Sequence, residues 1–266
     1  RYSENFIRGM IFSAFGLQVF DNLINGVIET LTAELERFKD NKQILNLVMA
    51  YSPELAISSI YKKNKHLDNQ ILLGNKGYFL KELASFGFRV PPGFILTTEV
   101  FRGYDAVVGY KYIFKDLTIR ISREITNLEK LTGQKFGDPR NPLLLSVRSG
   151  ATISLPGMMN SFLNVGINEA IAEGLGKKSD HEWAAWDSYR RFLQTWGMYQ
   201  DLNRDFFDEI INDFKDKYRV KRKIEFKPDQ MKQIALAYKK RMADKGVHVM
   251  DNPFDQLREA ILQVFA

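Results

Sequence analysis

Leu143-Leu144-Leu145-Ser146-Val147 runs directly into Arg148-Ser149-Gly150. An apolar run of this length, closed by small polar residues, predicts a strand buried in a sheet. An arginine at the end of such a strand stands where sheets present ligand groups. Its planar guanidinium keeps its proton near neutral pH and matches the oxygens of a phosphate. Local sequence gives Arg148 an equal alternative, a structural ion pair with Asp187 or Glu182.

The next residues are Ala151-Thr152-Ile153-Ser154-Leu155-Pro156-Gly157-Met158-Met159-Asn160. Pro156-Gly157 forces a turn, and Ser154, Gly157 and Ser161 offer hydroxyls and accessible backbone amides. Met158 and Met159 are soft enough to lie over a planar ring, although a methionine pair is more often core. Upstream, Gly74-Asn75-Lys76-Gly77 sets a lysine between glycines just before a helical pattern, Phe79, Leu80, Leu83, Phe86. Glycine lets the backbone approach an anion, a helix N-terminus supplies N–H groups, and lysine adds a point charge. The spacing is not that of a P-loop. A plain turn with an exposed lysine is the simpler reading of these four residues alone. Three anion-friendly elements together point to a phosphate-bearing ligand.

Outward from these segments the pattern is mixed. Residues 1–65 read as a helical extension, with apolar residues at helical spacing: Phe20, Leu23, Ile24, Val27, Ile28 and Leu31. Residues 66–266 alternate short apolar runs with helices. Gly87 ends one helix in the left-handed manner. Phe94-Ile95-Leu96-Thr97-Thr98 reads as a strand, with Thr98 capping a helix from Glu99. Helices are expected over 117–131, 183–198, 204–218, 228–242 and from 254 onward. Helices with a minority of strands in mixed order predict an α+β fold.

Composition narrows the function classes. The 266 residues contain no cysteine and three histidines, His66, His181 and His248. This excludes a disulfide framework, a thiolate metal site and a cysteine nucleophile, and argues against a histidine-rich metal centre. No Ser/His/Asp set, HExxH or paired-carboxylate motif stands out. The net charge is +6, yet Lys217, Arg219, Lys221, Arg222 and Lys223 supply five of those charges from one short stretch. A solvated basic loop explains this better than a nucleic-acid surface, because only Tyr218 is there to stack on a base. No segment approaches the roughly 20 apolar residues of a membrane span. No signal-peptide pattern precedes the rest, so a cytoplasmic location is expected.

Five blocks resemble one known family. Ile71-Leu72-Leu73-Gly74-Asn75-Lys76-Gly77-Tyr78-Phe79-Leu80-Lys81-Glu82-Leu83, continued through Val90-Pro91-Pro92-Gly93-Phe94-Ile95-Leu96-Thr97-Thr98-Glu99, resembles the opening of the nucleotide-binding domain of the pyruvate, phosphate dikinase family. Leu131-Thr132-Gly133-Gln134-Lys135-Phe136-Gly137-Asp138-Pro139-Arg140-Asn141-Pro142, continued through Gly150, is similar to that family nearly residue for residue. Ser154 with Pro156-Gly157-Met158-Met159 resembles the dikinase rather than phosphoenolpyruvate synthase. Asp187-Ser188-Tyr189-Arg190-Arg191-Phe192 and Asn252-Pro253-Phe254-Asp255-Gln256-Leu257-Arg258 match two further segments in order. The resemblance covers about 71–266.

It implies an ATP-grasp-like nucleotide-binding domain over 66–266, holding ATP between two lobes. It also implies transfer of a phosphoryl group from ATP to a histidine on a swivelling phosphohistidine domain of the same parent chain. That group would pass on to pyruvate, giving phosphoenolpyruvate. The implied cofactors are ATP and Mg2+, with the magnesium ligands expected outside this chain. By position, Lys76 and Arg148 would contact ATP phosphates, with Gly150, Gly157, Met158 and Met159 in the loop over the nucleotide. Arg191 is a further candidate nearby. No histidine falls in a matching motif, so no phosphoryl carrier or other catalytic residue is assigned. The chain begins at Arg1 and stops inside a helical pattern, so a fragment inactive by itself is expected; a homo-oligomer is compatible with all of this. Two departures carry an alternative reading. Asn160 stands where the family pattern has an aspartate, and residues 1–65 have no counterpart at its start. They fit a non-catalytic nucleotide- or partner-binding regulatory module derived from the dikinase domain.

Overall fold

A computed structural model of the chain describes residues 51–109, 111–150, 161–179 and 181–265, preceded by helical positions 22, 24–30, 32, 33 and 36. Packing divides the chain into two units, Arg1–Ala50 and Tyr51–Ala266. The first shows helix at its described positions, with Thr30 and Thr32 hydroxyls donating to the carbonyls of Gly26 and Ile28 four residues back. The packing junction falls fifteen residues before the expected boundary at 65/66, because Ile57 to Ser59 pair with a strand of the second unit.

The second unit opens with strand β1 (Ile57–Ser59), followed by α1 (Gln70–Ser85), β2 (Phe94–Leu96), α2 (Thr98–Arg102), α3 (Tyr104–Gly109) and the long α4 (Lys111–Thr132). Strands β3 (Lys135–Phe136), β4 (Pro142–Leu143), β5 (Leu145–Arg148) and β6 (Ser161–Val165) come next. Five helices complete it: α5 (Glu169–Ser179), α6 (Glu182–Tyr199), α7 (Arg204–Tyr218), α8 (Pro228–Asp244) and α9 (Pro253–Phe265). Among the described residues the strands pair only in twos. β1 and β2 are antiparallel, β3 and β4 parallel, and β5 and β6 antiparallel. The mixture is α+β, dominated by helix.

Two cores hold it together. Trp186, Tyr189, Phe192, Leu193 and Trp196 recur at three- and four-residue spacings, so α6 turns one apolar stripe inward. That stripe meets Met231, Ile234, Ala235, Tyr238 and Met242 of α8, Phe207 and Ile210 of α7, and Phe162 and Val165 of β6. Phe192 and Phe207 are at most 1% exposed, and each contributes about 1.5–3 kcal/mol by removal from water. The Tyr238 hydroxyl enters this core with a partner, donating to the Phe207 carbonyl at 3.0 Å. The smaller core gathers Ala56, Val100, Val107 and Leu117. Helix α1 rests on β2 and α2, on the side of this smaller core.

Two local readings change. The run 143–147 is not one buried strand. Pro142 and Leu143 are buried and pair with β3, after which the chain passes to the β5/β6 ribbon, where burial alternates and Ser146 and Arg148 are exposed. The helix after β2 starts one residue earlier than expected. Thr97 is its cap: its hydroxyl accepts from the Glu99 N–H at 3.2 Å and donates to the Leu55 carbonyl at 2.6 Å. Gly87 behaves as expected, with φ 83° just past the end of α1 and the Phe88 N–H returning to the Leu83 carbonyl.

Candidate functional site

Helix α1 begins at a cap and breaks after one turn. The Asn69 side chain accepts from the Leu72 N–H at 2.9 Å, as an N-cap residue does. Gly74 then leaves the helix, with φ 66° and ψ 167°, and the helix resumes at Asn75. Only glycine takes this conformation without strain. The lysine between the glycines therefore lies on the first turn of a restarted helix, rather than in a loop preceding the whole helix.

The break brings the two phosphate-type segments together. A Cβ on Gly74 would lie 2.8 Å from the Gly150 carbonyl oxygen, so the two backbones approach as only a glycine permits. Two residues on, the exposed Lys76 donates from Nζ to the Ser149 carbonyl at 3.2 Å. Gly77, the next residue, is buried, with space for a Cβ closed by Ile95 of β2 at 3.0 Å. Two segments some seventy residues apart thus form one cationic, backbone-rich corner.

Arg148 closes β5 opposite Ser161 of β6, and its side chain is exposed. Among the described residues no carboxylate pairs with it. Gly150 follows two residues later. Gly157, Met158 and Met159, expected to cover the nucleotide, lie outside the described residues, as does Asn160.

Asp187, the alternative partner for Arg148, is committed elsewhere. Its Oδ1 accepts from Arg190 Nε at 2.8 Å and from Lys223 Nζ at 3.1 Å, and its Oδ2 accepts from Arg191 Nε at 2.8 Å. Asp187 and Arg190 are 5% and 4% exposed, and Arg191 is 64% exposed. Burial alone would raise the Asp187 carboxyl, but the Arg190 charge and hydrogen bond, joined by Lys223, hold it below the usual carboxylate range. Burial, then the Arg190 charge, pushes the Lys223 ammonium down despite its bond to Asp187. Arg191 therefore belongs to this cluster, and no hydrogen bond or ion pair among the described residues joins it to Lys76 or to the 149–150 backbone. The basic stretch is also partly spent locally: Lys223 on Asp187, Arg222 on Glu225 at 2.8 Å, and Lys217 over the rings of Phe214 and Tyr218.

Three features of this region escaped the sequence. The contact between Gly74 and Gly150, the role of Lys223 and the burial of Lys81 all depend on partners brought in from elsewhere in the chain. The doublet of glycines around Lys76 was the only local signal.

The corner joins an exposed ammonium to backbone approached through glycines, and the exposed Arg148 precedes Ser149 directly in the chain; these are groups of the kind that suit a phosphate. The corner does not assemble a cation site. Among the described residues no group of three or more His, Asp or Glu gathers as a metal ion would require. Nor is any described helix long and apolar enough to cross a membrane. His66 and His181 are exposed, and the His248 carbonyl accepts from the Trp196 indole at 3.3 Å.

No family model matches the chain. Curated proteins do. The chain is 39% identical over 197 residues to a pyruvate, phosphate dikinase of Clostridium symbiosum, a match covering 73% of this chain and 22% of that protein. It is 39% identical over 197 residues to the chloroplastic pyruvate, phosphate dikinase 1 of Zea mays, covering 73% and 20% respectively. The protein of that name from Rhizobium meliloti is 35% identical over 196 residues, again 73% of this chain and 22% of the relative. The chain thus spans less than a quarter of the length of these relatives, and through 73% of its own length it is a relative of the pyruvate, phosphate dikinases.

Proposed function

We propose that this chain supplies the phosphate-gripping part of an ATP-binding domain of dikinase type, with an ATP-grasp-like fold. Lys76, Arg148 and the backbone at Gly150 hold the nucleotide's phosphates, and the segment containing Gly157, Met158 and Met159 covers it. Within a full-length protein the bound ATP would give a phosphoryl group to a histidine on a swivelling domain, for delivery to pyruvate and formation of phosphoenolpyruvate. Mg2+ would accompany the ATP, on ligands other than the residues described above.

The observation that carries this reading is the junction of Lys76 with Ser149 and Gly150, two residues beyond Arg148. Phosphoryl transfer asks a protein mainly for positioning and for neutralisation of charge. Lysine, arginine and close backbone supply both without a nucleophile. Arg191, oriented by Asp187 and mostly exposed, is a further candidate for contact with the nucleotide.

The test is calorimetric titration of the chain with MgATP. Arg148→Ala and Lys76→Met should each weaken binding by more than tenfold, about 1.4 kcal/mol, with thermal unfolding unchanged. Binding of MgATP that neither substitution weakens would move the phosphate site elsewhere.

A further inference from the structure

Lys81 lies five residues beyond Lys76 on the restarted part of α1, yet it is 6% exposed. Burying an ammonium costs several kcal/mol unless its hydrogen bonds are met. Here all three are met. Lys81 Nζ donates to Asp68 Oδ1 at 2.5 Å, to the Lys62 carbonyl at 2.7 Å and to Ser58 Oγ at 2.9 Å. The acceptors come from three places: strand β1, the turn after it, and the residue before the Asn69 cap. Asp68 is itself held, with Oδ2 accepting from the Asn64 N–H at 2.7 Å.

The arrangement spans the break. Between Asp68 and Lys81 the chain passes through Gly74, the non-helical residue within α1. Across such a glycine the helical ladder does not by itself dictate the angle between the first turn and the restarted helix. Contacts on either side of the break must set it, and among them the Lys81 ammonium makes a charged, directional bond to the residue that precedes the Asn69 cap. Apolar side chains in place of both Lys81 and Asp68 could fill the same volume, and replacing a whole buried ion pair that way is often neutral for stability. They would not hold an angle in the same way.

We propose that Lys81 is a positioning residue: by tying the restarted helix back to Asp68, Ser58 and the Lys62 carbonyl, it sets Lys76 against Ser149 and Gly150. This rests on the phosphate-gripping reading, and it adds to it the element that fixes the geometry of the grip.

The test is a double-mutant cycle on the full chain, read by MgATP calorimetry. Lys81→Met should lower the unfolding midpoint, because it strands Asp68, and should weaken binding about five- to tenfold at a temperature where both proteins are folded. In a Lys76→Met background the same change should cost nothing further, because Lys81 acts through Lys76. Asp68→Asn, which weakens the same tie from its other end, should reproduce the effect and keeps the test open if Lys81→Met does not fold. Independent, multiplying losses, or unchanged binding by Lys81→Met, would overturn the proposal. If the parent chain itself does not bind MgATP, the phosphate-gripping reading fails, and the positioning role is then read by amide hydrogen exchange. Faster exchange over 75–79 with unchanged exchange over 114–130 in Lys81→Met supports it, and unchanged exchange over 75–79 overturns it.

Discussion

The Cα of Gly74 faces the carbonyl of Gly150 so closely that an added methyl group would sit 2.8 Å from its oxygen. Gly74 also holds φ 66°, where a Cβ is strained. Gly87 has φ 83° and open space around it, so it shows the cost of a positive φ without a clash. Gly87→Ala should cost about 1 kcal/mol. Gly74→Ala should cost about 2–3 kcal/mol, with the excess due to the clash together with a ψ of 167° that only glycine tolerates, and should also weaken MgATP binding. Urea unfolding of the two variants side by side, with calorimetry on each, checks both statements.

Neighbouring arginines share one carboxylate but not one environment. Arg190 is buried and also donates to Gln194 at 2.9 Å, whereas Arg191 is mostly exposed. Removing Arg190 empties a buried site and leaves Asp187 only Lys223 and the exposed Arg191, at a cost approaching that of a broken buried pair, about 3–5 kcal/mol. An exposed partner is worth about 0–1 kcal/mol. Arg190→Ala should therefore destabilise severely, while Arg191→Ala should unfold almost as the parent does. Denaturation midpoints of the two variants decide the matter.

Asp187 also gives the fold an acid limit. Its folded carboxyl titrates below its unfolded value, because burial, which would raise it, is outweighed by Arg190 and Lys223. A depressed acid contributes stability that is complete above the unfolded carboxylate pKa of about 4 and is lost as pH falls through the folded value. Glu99 acts in the same sense: burial is outweighed by its bonds to Arg102 and to the Ser52 N–H. Unfolding free energy should hold steady from pH 7 to about 5 and fall steeply below about 4. Asp187→Asn, less stable throughout, should lose less over that span.

The cap of α2 offers a sharper comparison. Thr97 is 1% exposed and its hydroxyl serves two backbone groups. Thr98 is exposed and donates to the Ile71 carbonyl at 2.9 Å. Thr97→Ala should cost about 1–2 kcal/mol and Thr98→Ala no more than about 0.5 kcal/mol. Equal losses measured in urea would show that the cap had been placed one residue wrong.

How far these features could be read in the sequence depends on how local they are. The helices were legible because α6 and α9 repeat apolar residues on one face, and Gly87 marks a helix end by its own chemistry. The 143–150 segment was half legible. Its apolar run announces a strand, but nothing in three consecutive leucines says that the chain changes ribbons at Leu144. Lys76 and Arg148 stood out because their residue types sit beside glycine or at a strand end. That Lys76 reaches Ser149 did not, nor did the burial of Lys81 or the capture of Lys223 by Asp187. Each of those needs a partner brought in by the fold, and a lysine's spelling is the same whether it is solvated or enclosed.

The second unit has two cores, and the corner formed by Lys76, Ser149 and Gly150 lies across the seam between them. Helix α1 rests with the smaller core, while β5 and β6 belong to the larger. Leu96, Ile121 and Phe265 pack against both. Loosening the few side chains shared at such a seam costs less than unfolding either core. A substitution at Leu96 or Ile121 is therefore expected to change how firmly the two sides of the corner are held together without touching the residues that form it.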